Sequence, residues 1–73
     1  MMHKVEIADS KGYKWRVKGF TQYPGGAINK VIFEMAAYVN VITEIRFDES
    51  GRHIIGDPLL ASAVLQNVKA ALI

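Results

Sequence analysis

The sequence reads as a small two-layer α+β domain of order β-β-α-β-β-α, antiparallel hairpins with helices on one face of the sheet. Three patterns lead to that reading. Residues 3–8, 13–19 and 41–48 alternate apolar and polar side chains, the period of a half-buried strand. Ile28, Val31, Ile32, Met35, Ala36 and Val39 fall at the i, i+3, i+4, i+7, i+8, i+11 positions of an amphipathic helix. Asp57-Pro58 joins a capping acceptor to the first helical position, where proline's missing amide hydrogen costs nothing.

Taken in order, the first strand (3–8) sets Val5 and Ile7 against Lys4 and Glu6. Asp9-Ser10-Lys11-Gly12 supplies a turn, with Gly12 free to take positive φ. The second strand returns over 13–19, with Tyr13, Trp15 and Val17 on one face and Lys14, Arg16 and Lys18 on the other. Tyr23-Pro24-Gly25-Gly26 breaks the hairpin, and a helix is expected over 27–39. Its β-branched pair Val31-Ile32 also suits a strand.

A third strand over 41–48 sets Val41, Thr43, Ile45 and Phe47 opposite Ile42, Glu44, Arg46 and Asp48. Glu49-Ser50-Gly51-Arg52 turns the chain into a short fourth strand over 53–56. From Asp57 a second helix is expected to run to the C-terminus, with Leu60, Ala61, Val64, Leu65, Val68, Ala71 and Leu72 along its apolar side. Both strand turns carry Asp with Gly three residues later (Asp9/Gly12 and Asp48/Gly51), compatible with a duplicated ββα unit or with turn chemistry alone.

The 73 residues make one domain, 1–73, with a core too small to give a wide stability margin. Cysteine is absent, which excludes disulfides and thiolate zinc sites, and His3 and His53 do not form a structural zinc site by themselves. No metal or cofactor is expected. With 51% apolar and 22% charged residues the chain should fold rather than remain disordered. No apolar run approaches a membrane span and no secretory signal is legible, so a cytoplasmic location is expected.

No serine or threonine has a histidine placed by obvious spacing, and the carboxylates Asp48, Glu49 and Asp57 are explained by turn and cap roles, so no enzymatic activity and no small-molecule substrate are expected. The charge is uneven. Residues 1–30 hold six basic and two acidic side chains, residues 31–73 three and five. The ladder Lys14, Arg16, Lys18, with Lys4 beside it, suits an ordinary solvated face, an acidic protein partner, or phosphates of a nucleic acid. Strand parity sends Tyr13 and Trp15 to the other face, and a charged platform without an exposed ring lacks the usual stacking element of single-strand binders. Phe20 and Tyr23, near the hairpin's end, are the aromatic candidates for a contact surface. The partner-binding candidates are thus Lys4, Lys14, Arg16, Lys18, Phe20 and Tyr23.

The cysteine-free basic composition, the 73-residue length and the run HKVEIADSKGYKWRVKGF give the chain a texture that resembles the small transcription regulators of lytic Xanthomonas phages, over its whole length. That resemblance implies a non-enzymatic protein that binds host bacterial RNA polymerase through the N-terminal part of the β′ subunit. It further implies inhibition of initiation by displacing σ, and antitermination assisted by NusA, in the host cytoplasm. A nucleic-acid-binding domain using the same basic face, or an inhibitor of another host protein, stand as alternatives.

Overall fold

Five antiparallel strands follow one another in the computed structural model, which describes residues 5–68. They are β1 (Ile7–Ala8), β2 (Lys14–Gln22), β3 (Ile28–Met35), β4 (Ile42–Phe47) and β5 (His53–Ile55), and they pair in chain order as a curled meander. One short helix, α1 (Pro58–Ala63), follows and loosens into a π-helical turn over Val64–Val68. The expected β-β-α-β-β-α order is therefore corrected. The segment 27–39 holds a strand and a loop rather than a helix, so the first half of the chain is not a ββα unit; that order occurs once among the described residues, over β4, β5 and α1.

The reason lies in register. Thr21 pairs with Lys30 and Gln22 with Ile28, so Asn29 is an extra residue on β3. Ile28 and Val31, three apart, consequently both face the core, which mimics the spacing of a helix. Beyond the irregularity the period of two resumes, with Val31 and Phe33 fully buried. The β-branched Ile28, Val31 and Ile32 favour the extended backbone, and pairing with β2 on one side and β4 on the other decides the matter.

Three hairpin turns share one geometry. In each, the first residue's carbonyl accepts from the amide three residues on, and its amide donates to the carbonyl four residues on: Asp9 to Tyr13, Tyr23 to Ala27, Asp48 to Arg52. The fourth position is a glycine at positive φ (Gly12, Gly26, Gly51), the three-residue loop closed by a glycine bulge. The likeness between Asp9/Gly12 and Asp48/Gly51 is thus turn chemistry. In both, Oδ1 of the aspartate accepts the amides two and four residues on.

The concave face of the sheet buries Trp15, Val17, Ile28, Val31, Phe33, Ile45 and Phe47, and Leu60, Ala61 and Val64 from the helical segment cover them. Leu65, expected on the apolar side, is exposed. Truncating a fully enclosed side chain such as Phe33 to alanine costs about 3–5 kcal/mol, a large share of what so short a chain holds. Asp57 starts α1 by accepting from the amides of Leu59 and Leu60, with Pro58 at the first position, as the sequence indicated. The same carboxylate accepts from the amide and hydroxyl of Ser10, which fixes the helix start to the β1–β2 turn. At the other end of the sheet, the Tyr23 hydroxyl donates to the Phe47 carbonyl (2.7 Å).

Candidate functional site

The cation ladder does not persist as a uniformly positive face. Lys4 lies outside the described residues. Lys14 is exposed on the convex face, opposite Ala8 of β1. Arg16 is held down: it lies 3.6 Å from the Glu6 carboxylate, donates to the Ala36 carbonyl at 3.3 Å, and pairs across β3 with Glu34. Further along this face Glu44 sits between Arg46 (2.9 Å) and Lys30 (3.8 Å). Positive and negative charges alternate across the convex surface.

Lys18 leaves the ladder altogether. Val17 pairs with Phe33 and Gly19 with Ile32, so Lys18 is the extra residue of a β-bulge, with an exposed side chain. The bulge shifts the alternation. Phe20 consequently pairs with Val31 and faces the concave side, although it keeps 36% exposure at the margin of the core. Tyr23 is half-buried and committed to its bond with Phe47. Of the six candidates, Lys14, Lys18 and Phe20 are exposed, and Lys18 and Phe20 are neighbours on one stretch of β2.

That stretch is an open edge. β1 pairs only with Lys14 and Trp15, so among the described residues Arg16–Gln22 has β3 as its single strand neighbour. Its outward N–H and C=O groups form a row onto which an extended chain can pair. Sequence periodicity could not show this, because it depends on how short β1 is.

A second feature was not anticipated. Tyr13 lies ahead of β2 rather than in it, and is 54% exposed instead of sharing the core with Trp15. Together with Glu6, Gly12, Lys14, Met35, Ala36, Ala37 and the 67%-exposed Tyr38 it lines an open groove of about 530 Å³, between the β1–β2 turn and the β3–β4 loop. The sequence signal was the aromatic residue directly after a glycine turn, where strand parity need not hold.

The titratable groups of the core margin serve structure. Burial alone would raise the Asp9 carboxyl, but bonds from the Trp15 indole (2.8 Å) and the amides of Lys11 and Tyr13 hold it below its ordinary value. At Asp57 burial again opposes, and the Ser10 hydroxyl and amide with the Leu60 and Leu59 amides again prevail. The Ser50 hydroxyl and the Arg52 amide lower Asp48. His53 packs its ring at 6.2 Å and 56° from Phe47, with Nε2 buried and without a hydrogen-bond partner among the described residues. No group of three metal-ligating side chains occurs among the described residues, and no helix among them is long and apolar enough to cross a membrane.

Compared with known proteins, the chain matches no family model, no curated protein and no solved structure.

Proposed function

We propose that this chain is a non-enzymatic protein-binding module that captures its partner along the open edge of β2. The observation that carries the reading is the mismatch between a nine-residue β2 and a two-residue β1. Among the described residues it leaves the backbone from Arg16 to Gln22 without a second strand neighbour and so available for an added strand, with Phe20 as an apolar anchor and Lys18 as a cation for an acidic partner. Lys14, exposed at the start of the same strand, adds to the positive charge that steers encounter. Arg16 and Tyr23 are engaged within the fold and support the edge rather than meet the partner.

The particular partner comes from the sequence resemblance alone. In that form of the proposal the module acts in the host cytoplasm on the N-terminal part of the RNA polymerase β′ subunit, displaces σ at initiation, and suppresses termination with NusA. The test is a pull-down from nuclease-treated bacterial lysate with the tagged protein, beside Lys18→Glu/Phe20→Ala, which spares the engaged Arg16. Recovery of polymerase subunits by the unaltered protein and their loss in the variant is the expected result. Equal recovery in both lanes removes the edge from the proposal, and no polymerase in either lane removes the polymerase.

A further inference from the structure

The groove between Tyr13 and Tyr38 lies apart from the Arg16–Gln22 edge and meets the core only through Met35, and two large exposed rings on one small domain call for a use. Its apolar lining includes Met35, Ala36 and Ala37, and Lys14 lines it as well. Lys11, exposed in the adjoining turn, adds positive charge nearby. The acidic lining residue, Glu6, is already ion-paired with Arg16. A volume near 530 Å³ accommodates a nucleotide rather than a single methyl or water.

The geometry points to a binding site for single-stranded nucleic acid, in which bases stack on both Tyr13 and Tyr38 and the adjoining phosphate meets Lys14. Exposed aromatic rings beside a lysine are the elements that sequence-tolerant single-strand binding uses: the ring faces any base, and the cation follows the backbone. A charged strand face with its rings turned inward would lack the first element. Here Tyr13, released from strand parity by the turn at Gly12, supplies it, and Tyr38 on the β3–β4 loop supplies a second. The modest net charge of +2 fits a short contact of one or two nucleotides, not a long electrostatic track. This inference does not depend on the proposed protein partner, since the groove and the Arg16–Gln22 edge are different stretches that share only the charge of Lys14.

The test is fluorescence anisotropy with a labelled octauridylate across a salt series, on the full chain and on Tyr38→Ala, Tyr38→Phe, Tyr13→Ala, Lys14→Ala and, at the opposite end of the sheet, Arg52→Ala. Either tyrosine-to-alanine change is expected to weaken binding about five- to 150-fold, with Tyr38→Phe close to the unaltered protein because the ring remains. Lys14→Ala should lower the magnitude of the log K against log salt slope by about 0.7, the value of one phosphate on a single strand, and Arg52→Ala should leave it unchanged. Thermal melts of each variant separate loss of the site from loss of the fold. Octauridylate left unbound at millimolar concentration overturns the inference, as does binding that Arg52→Ala weakens as much as Lys14→Ala while Tyr38→Ala does not. Loss of a protein partner on Tyr38→Ala without any affinity for the oligonucleotide overturns it too, and assigns the groove to a protein interface.

Discussion

Trp15 donates its indole N–H to the carboxylate of Asp9 across 2.8 Å, so the residue that shapes the first hairpin turn also satisfies the one polar atom of the largest core side chain. The second Asp-x-x-Gly turn, at Asp48, has the same backbone bonds and, among the described residues, no comparable tertiary bond. The pair is a built-in comparison. Asp9→Ala strands a buried indole donor as well as two turn amides, whereas Asp48→Ala strands donors that water can reach. Asp9→Ala is therefore expected to lower Tm clearly more than Asp48→Ala in thermal melts followed by circular dichroism. Equal losses would mean that the turn, and not the bond to Trp15, is what Asp9 contributes.

The three lowered carboxylates fix a direction for pH. A group whose folded pKa lies below its unfolded value contributes stability above the unfolded value, near 4 for Asp, and loses it as pH falls through the folded value. Stability is expected to be flat with respect to these groups from pH 7 to about 5 and to fall progressively below about 4. Ser10→Ala removes the leading favourable contact to Asp57, so its acid loss should be shallower than that of the unaltered protein. Chemical denaturation between pH 7 and pH 2.5 measures both slopes; a Ser10→Ala profile parallel to the original would remove Asp57 from the account.

Gly56 tests how closely the chain folds back on β4. At φ +112° it lies where L side chains are strained, and an added Cβ would stand 2.5 Å from Ile45 Cδ1 and 2.6 Å from the Glu44 carbonyl oxygen. Gly12 and Gly51 have positive φ with open space around them. Gly12→Ala and Gly51→Ala are each expected to cost about 1–2 kcal/mol from backbone strain alone. Gly56→Ala adds a clash with backbone that cannot rotate away, and should cost more than about 3 kcal/mol or prevent folding. Urea midpoints rank the three.

How far this fold could be read from sequence depends on whether a local pattern also set the pairing. The alternation over 41–48, the Asp-x-x-Gly turns and the Asp57-Pro58 helix start each rest on neighbours in the chain, and each is present in the structure. The segment 27–39 carries a helical spacing without being a helix, because one extra residue, Asn29, sets two core positions three apart, and only the partner strand reveals that it is extra. The surroundings of the contact candidates depend on pairing in the same way. Lys18 is the extra residue of a bulge that brings Phe20 opposite Val31, Arg16 is taken up by Glu6 and Ala36, and Tyr13, expected in the core beside Trp15, is exposed because the turn, not the strand, sets its direction. Among the described residues the open edge of β2 follows from the two-residue length of β1, which no property of β2 itself encodes.

If Lys18 is a true insertion in the ladder, the chain should tolerate its loss. With Lys18 deleted, Val17 opposite Phe33 is followed directly by Gly19 opposite Ile32, every later residue keeps its face, and β2 becomes regular. Arg16 is an ordinary ladder residue between Trp15 and Val17, both buried. Deleting it places two core side chains in succession, so one must face water. The expected outcome is a folded Lys18-deleted protein whose urea midpoint stays close to the original, and an Arg16-deleted protein that does not fold cooperatively. The same Lys18 deletion removes the cation and the local bend from the open edge, so it should weaken capture of a protein partner while the fold survives. A Lys18-deleted chain that fails to fold would show that the bulge is needed for the curl of the sheet itself, and that the edge cannot be altered independently of the core.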